Sequence, residues 1–543
     1  MALAVARNPR RWIILMVLIL ALFGISVDNT VLIIALPTLA KDLNASAADL
    51  QWMVDAYVLV FAGLLLLSGA LSDRYGRRVM LLIGLALFGA GSALAPLVKG
   101  ADQLIALRAF MGLGAAFVMP ATLSIIAHVF DADERPKAIA AWGSISAIGI
   151  VAGPLLGGWL LDNFAWPSVF LVNVPFAAIG FALTLWFVPE SRAQKRVALD
   201  LVGAALSVAG LVTLVYGIIE VPSRGWTDPQ IVVSLAAAAV FIFLFVWWER
   251  RVDEPMLDVG LFRDPRFSAA SLSVTLVFFA LNGALFFVTL YLQQVLGLSA
   301  LQTGFRFIPI ALGVAIAAGI SAAMTKRFGA KITTTLGLLI IAGGLASIAL
   351  VNENSSDLMI AGILFISAAG IGLAMTPATD AIMGSLPPDQ FGVGSAVNDT
   401  TREVGGALGI AVLGSLFAGS YGAAMAGPVA GLPDAAAKAV RDSLAGASAV
   451  AAQIGGDAGT FLLTTARHAF VDAMAWTSVI GAVVAVGGAL IALVWLPARA
   501  GRKDADEADA GSAAVVGSAA VVGAGSSTGS AAPAPVGVTL NEG

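Results

Sequence analysis

Gly69-Ala70-Leu71-Ser72-Asp73-Arg74-Tyr75-Gly76-Arg77-Arg78 is a short charged turn set between two long apolar runs, 49–71 and 79–98. Each run has the roughly 20 apolar residues that an α-helix needs to cross the hydrocarbon core of a bilayer. The stretch therefore reads as two spanning helices joined by a tight turn, and the same reading extends to the rest of the chain. Windows of that length give fourteen apolar segments, at 12–36, 49–71, 79–98, 102–126, 137–160, 168–188, 200–220, 229–248, 267–292, 301–324, 332–351, 357–383, 392–419 and 471–496. Composition agrees: the chain is 59% hydrophobic and 12% charged, against about 45–50% and about 25% in soluble domains. The expected fold class is an all-α membrane protein that spans the bilayer repeatedly. The run after Arg7, Arg10 and Arg11 is too long for a signal peptide, so it is expected to be the first span.

Charge sets the expected orientation. With the first eleven residues in the cytoplasm, 21 of the 30 Lys and Arg fall in cytoplasmic loops, six fall outside and three lie within segments. Basic residues collect in cytoplasmic loops, so both termini are expected there, in a bacterial-type inner membrane. Residues 420–470 form the longest outward loop, with a helical stretch near 434–444, either a solvated cap or a gate. The tail 497–543 contains the near-repeat SAAVVGSAAVVG, has no aromatic residue, and is expected to be disordered.

There is no cysteine, which excludes disulfides, zinc-thiolate sites and thiol nucleophiles, and two histidines are too few for a metal cluster. No nucleotide-binding loop is present. An enzyme or a receptor is therefore the weaker reading, and neither a cofactor nor nucleic acid is expected as a partner.

A weak internal repeat supports duplicated halves. Lys326-Arg327-Phe328-Gly329-Ala330-Lys331 follows a later segment much as Asp73-Arg74-Tyr75-Gly76-Arg77-Arg78 follows the second. Halves related by an axis along the membrane normal are a transporter signature.

Four motifs, in order along the chain, carry a family resemblance. The turn from Gly69 to Arg78 resembles the G-x-L-x-D-R-x-G-R-[KR] signature of the major facilitator superfamily. Arg108-Ala109-Phe110-Met111-Gly112-Leu113-Gly114 is similar to its R-x-x-x-G-x-G. Gly149-Ile150-Val151-Ala152-Gly153-Pro154-Leu155-Leu156-Gly157-Gly158 resembles the antiporter motif G-x-x-x-G-P-x-x-G-G. Asp28-Asn29-Thr30-Val31, followed by Ala35-Leu36-Pro37, resembles an element of drug:proton antiporters with fourteen spans. One departure is Ala165-Trp166-Pro167, where the family often has W-R-W.

The resemblance covers about residues 10–497. It implies two six-helix halves, 12–188 and 267–496, with a linker at 189–266 that carries two inserted helices. It implies that protons moving inward drive small lipophilic or cationic compounds outward, with the proton gradient as the energy source. A dedicated exporter of one antibiotic remains the alternative. The protein is expected to act as a monomer. The resemblance further implies that the turn is a conformational latch. Asp73 would sit near a helix N-terminus of the opposite half, and Arg74, Arg77 and Arg78 would pair with acids such as Asp131 or Glu134. Gly149, Gly153, Pro154, Gly157 and Gly158 would form a bendable, proton-tight seam.

Ionisable residues inside spans are costly and so point to function. They are Asp28, Asp55, Arg108, Arg306, Asp380, Asp399, Arg402 and Glu403. At about 1.5 Å per residue, Asp28 lies roughly 22 Å along its segment and Asp55 roughly 9 Å from the outer end of the next. Asp399 and Glu403 are four residues apart and share a helix face. Asp28, Asp55, Arg108, Asp399 and Glu403 are the candidates for proton coupling or substrate binding. The plain alternative is that Asp28 only pairs with Arg108. Met119, Phe278, Phe286, Phe287, Tyr291 and Gln294 are candidates for a pliable pocket, or simply core.

Overall fold

A computed structural model describes residues 9–130, 134–192, 199–253, 255–385 and 391–496, with backbone alone in parts of several helices. Among these residues every regular element is helical. In order they are α1 Arg11–Asp42, α2 Ala47–Tyr75, α3 Arg77–Leu94, α4 Ala101–Val129, α5 Arg135–Asn163, α6 Ser168–Leu171, α7 Asn173–Phe187, α8 Leu201–Arg224 and α9 Pro229–Glu249. There follow α10 Pro265–Leu290, α11 Ala300–Arg306, α12 Ile308–Ile348, α13 Asp357–Met383, α14 Phe391–Met425, α15 Asp434–Asp442, α16 Leu444–Ile454 and α17 Gly456–Trp495. Twelve helices among the described residues are long and apolar enough to cross a membrane.

Local chemistry places the helix ends. Ser46 accepts a hydrogen bond from the Asp49 amide while Asp49 Oδ2 takes the Ser46 amide at 2.8 Å, a capping box that starts α2. Asp228 and Asp264 cap α9 and α10, each with proline at the first helical position. Gly76 (φ 123°) ends α2 and begins α3. Gly329 (φ 86°) breaks the helical run of α12. These two glycines occupy the same place in the two repeated turns, and both adopt backbone that a residue with a Cβ rarely takes. The repeat seen in sequence is thus a repeat in backbone geometry.

Helix pairing repeats as well. α1 packs on α5 as α10 packs on α14, and the α8–α9 pair stands against α2 and α14. α1 is buried along most of its length, whereas α9 leaves Val232, Val233, Val240, Phe243 and Trp247 exposed. Exposed apolar side chains on this scale need a lipid environment. The chain is a multi-pass membrane protein.

One sequence expectation shifts. The long loop at 420–470 is largely helical, because α14 runs to Met425, α15 and α16 follow, and α17 starts at Gly456. Its α15 matches the expected helical stretch, and Lys438 and Arg441 lie on it. Asp442, at the end of α15, has its carboxyl pushed above the usual range by burial, with Asp49 adding to the effect and Lys438 and Arg441 opposing it. Arg306 lies, as expected, inside the apolar stretch Ala300–Ile348, near its start. It ends the short helix α11 and pairs at 2.8 Å with Asp357, which is 69% exposed. The tail 497–543 lies outside the described residues, as does Asp131.

Candidate functional site: buried acids where the two halves meet

Asp28 lies mid-way along α1, and α1 is enclosed on several sides, so the carboxylate cannot reach water. Its exposure is 1%. Burying an ionised carboxylate requires a counter-charge and hydrogen bonds. Both are supplied. Arg108 Nη1 of α4 donates to Oδ2 at 2.5 Å, and Asn173 Nδ2, the first residue of α7, donates to Oδ1 at 2.7 Å. Arg108 is also 1% exposed. Its Nε donates to the Met53 carbonyl at 3.1 Å, and its guanidinium lies 4.2 Å from the centre of the Tyr57 ring. The structure thus joins two of the sequence candidates, Asp28 and Arg108, in one buried ion pair.

Asp55, on α2, is 0% exposed, and among the described residues both carboxylate oxygens lack a hydrogen-bond partner. One turn before it Gln51 faces Gly414 of α14, and one turn after it Leu59 belongs to an apolar cluster with Val215 and Ile219 of α8 and Ala407 and Ala411 of α14. Asp55 therefore sits on the stretch of α2 where the first half, the second half and the inserted pair come together.

The second half brings α14. Asp399 and Arg402 lie 3.7 Å apart, and the Arg402 guanidinium stacks 4.8 Å from the centre of the Phe278 ring. Glu403 is half-buried and forms no ion pair among the described residues. Asp380 sits on the last turns of α13.

The antiporter-like stretch lies on α5 and works through missing side chains. Thr30 Oγ1 donates to the Gly149 carbonyl at 3.0 Å. A Cβ at Gly153 would collide with Thr30, and one at Gly157 would press on Val31 at 3.2 Å. Gly158 lies under the backbone of Leu301, where a Cβ would meet the Ala300 carbonyl at 2.6 Å. Gly304 sits equally close to Pro154, the proline inside α5. α5 is thereby clamped to α1 on one side and to α11, in the other half, on the other. Small residues permit such close helix approach.

The hydrogen bonds described between the halves share one end of the bundle, away from the Gly76 and Gly329 turns. Gln293 Nε2 donates to the Ile34 carbonyl at 2.9 Å, Ser299 Oγ to Asp162 Oδ2 at 2.7 Å, and Ser415 Oγ to Gln51 Oε1 at 3.4 Å.

At the Gly69–Arg78 turn, Arg77 folds back on Asp73 with Nε 2.9 Å and Nη2 2.8 Å from Oδ1, and its Nη1 reaches the Ser124 carbonyl. Arg78 donates to the Leu185 carbonyl. Arg74 lies over the Tyr75 ring. Glu134 is engaged by Arg11 at 2.6 Å. A Cβ on Gly76 would overlap the Glu190 carboxylate, and Gly69 packs near Pro120. In this structure the turn is thus tied within its own half.

The pocket candidates divide. Met119 and Phe278 are half-buried, the latter under Arg402. Phe287 stacks on Phe417, and Tyr291 donates its hydroxyl to the Asn352 carbonyl at 2.6 Å, so both serve as core. Phe286 and Gln294 line a small enclosed space with Leu50, Tyr421 and Asp442, at the end where the halves touch. Sequence reading passed over Tyr57, Gln51, Asp162 and Ser299. Asn173 also went unassigned. Its signal was a polar amide, two residues before Pro175, opening an apolar span.

These features define a helical membrane protein of two related halves with acids buried where they meet. Residues 18–410 match the Major Facilitator Superfamily, and the chain belongs to that family. It is 38% identical over 494 residues, 89% of this chain and 96% of the relative, to the multidrug efflux pump LfrA of Mycolicibacterium smegmatis. It is 32% identical, over 76% of this chain and 77% of the relative, to the tetracenomycin C resistance and export protein of Streptomyces glaucescens. Its fold superposes with a TM-score of 0.64 on the crystal structure of a bacterial homolog of the human lysosomal transporter Spinster, 19% identical, covering 90% of this chain and 98% of that one.

Proposed function

We propose that this chain is a proton-coupled multidrug exporter of the cell membrane, moving lipophilic and cationic compounds out as protons move in. The observation that supports it most is near full-length similarity to a multidrug efflux pump, in a chain whose acids are buried at the contact between its halves. On this reading Asp28 is the charged anchor, held by Arg108 and Asn173. Asp55 carries the proton, and Glu403 faces the substrate. A proton crossing a gradient of one pH unit supplies about 1.4 kcal/mol, and 100 mV adds about 2.3 kcal/mol.

The reading also sets topology. The stretch Ala300–Ile348 spans 49 residues, about twice what one crossing needs. Dividing it at Gly329 and counting the 29-residue α5 as a span is consistent with fourteen crossings and both termini inside. On this reading the end where the halves touch faces outward, and the structure represents a state closed on that side. In the outward-open state the Gly69–Arg78 turn would release Arg77 from Asp73 and latch onto the second half.

A dedicated antibiotic exporter is the second reading, favoured by similarity to the tetracenomycin C protein. Efflux of a panel of lipophilic cations from cells, measured with an uncoupler while ATP is maintained, tests both. Multidrug export predicts broad efflux that collapses with the gradient. Efflux of one compound only would favour the second reading, and efflux insensitive to the uncoupler would refute proton coupling.

A further inference from the structure

Away from the central acids, two carboxyl groups meet at one end of the inserted pair. Asp200 is the cap residue of α8, and Glu249 is the last residue of α9. They are 7% and 3% exposed. One oxygen of each is well served. Asp200 Oδ1 accepts the Gly203 amide at 2.7 Å and the Trp248 indole N–H at 2.8 Å. Glu249 Oε2 accepts the Leu257 amide at 3.1 Å. The other oxygens, Asp200 Oδ2 and Glu249 Oε1, are sealed from solvent and have no donor among the described residues. Both crowd the same spot beside Gly203, where a Cβ would overlap the aspartate oxygen and stand 2.7 Å from the glutamate oxygen. Gly203 leaves the room that lets them touch.

Two acceptor oxygens in contact, away from water, repel unless a proton lies between them. Like-charged carboxylates at this range cannot both stay ionised, and they titrate as a pair. Among the described residues no cation pairs with either carboxyl group. The connector after α9 carries Arg250 and Arg251, and Arg251 is stacked 4.4 Å from the centre of the Trp247 ring. The helices packed against α8 carry Asp55, Tyr57, Asp73 and Arg74 on α2, and Asp399, Arg402 and Glu403 on α14. Among the described residues none of these forms a hydrogen bond or ion pair with Asp200 or Glu249.

We infer that Asp200 and Glu249 form a proton-binding site separate from the transport acids, a carboxyl–carboxylate pair that locks the base of the inserted helices. One proton bound gives a carboxylic acid donating to a carboxylate. Its release leaves two carboxylates in contact, and the lock opens. The Trp248 indole and the Leu257 amide hold the two outer oxygens in place, so the proton ties α8, α9 and the connector to α10 at a single point. The site stands independently of any substrate.

The test is thermal unfolding of the purified full chain in detergent across a pH series, for the native protein, Glu249→Gln and Asp200→Asn. Asn caps a helix about as well as Asp, so the second variant keeps α8 intact should the first fail to fold. The proton is held only by the folded state, so its stabilisation is present at low pH and lost as pH rises. The native Tm should therefore fall more steeply with rising pH than that of either variant. In an Asp55→Asn background, the infrared spectrum at neutral pH should show a protonated-carboxyl stretch that disappears in Glu249→Gln and shifts or disappears in Asp200→Asn. Parallel pH slopes together with an unchanged carboxyl stretch would overturn the proposal. Because neither readout involves transport, failure here leaves the export reading untouched.

Discussion

Asp28 and Asp55 sit on neighbouring helices, both sealed from solvent, and only the first has partners. Asp28 takes Arg108 on one oxygen and Asn173 on the other, whereas neither oxygen of Asp55 finds a donor among the described residues. The difference shows how one bundle gives two carboxyl groups different work. A carboxylate fixed by a cation is a permanent charge that organises its surroundings. A carboxyl group in apolar surroundings without a donor is comfortable only when neutral. It is suited to take up a proton in one state and lose it when rearrangement admits water.

The largest effect should come from breaking the paired acid. Arg108→Ala leaves Asp28 as an uncompensated buried charge, and removing one partner of such a pair costs about 3–5 kcal/mol. Well below normal yields of folded protein are expected, measured by size-exclusion of the detergent-solubilised chain. Asp28→Asn should still insert and should abolish proton-driven efflux. The double variant Asp28→Asn/Arg108→Ala should regain stability without regaining efflux, and a double-mutant cycle reads the coupling. Additive losses would show that the pair is not an energetic unit.

The next effect concerns the closed end, on which the sealing of both acids depends. Gly158→Leu inserts a side chain against Leu301, where there is no room. Overpacking costs about 1–3 kcal/mol, which would shift the closure equilibrium roughly five- to 150-fold. Cysteines introduced at Asp162 and Ser299 report it cleanly, since the native chain has none. Labelling by an impermeant reagent in intact cells should rise in Gly158→Leu, and unchanged labelling would remove the seam from the gating account.

A smaller effect sharpens the contrast on the other half. Glu403, unlike Asp399, has no ion-pair partner among the described residues. Glu403→Gln should lower resistance to dications more than to matched monocations, by a few-fold in their ratio. An unchanged ratio would place Glu403 outside the substrate site.

The sequence displayed the spans, the duplicated turn and the candidate acids, because apolar length and isolated charges need no tertiary information to be seen. The Asp28–Arg108 pair was legible as an alternative for the same reason: a lone buried acid calls for a lone buried cation. Asn173 and Tyr57 were not legible as partners, since a polar amide or a tyrosine in a span has no fixed partner until the helices are packed. Arg306 was legible as a charge in a span, but its partner Asp357, which starts the following helix, was not. The Asp200–Glu249 contact joins residues 49 apart in sequence, at the two ends of a helical hairpin. Only antiparallel packing of α8 on α9 brings them together.

The contrast between the two acids is tested most directly by Asp55→Asn reconstituted in proteoliposomes, with substrate flux followed both down its own gradient and against it under an imposed pH gradient. Asn fills the same space, so folding and downhill flux should persist while uphill, proton-driven accumulation is lost. Accumulation by Asp55→Asn at the native rate would contradict the account, and the proton would have to be carried elsewhere.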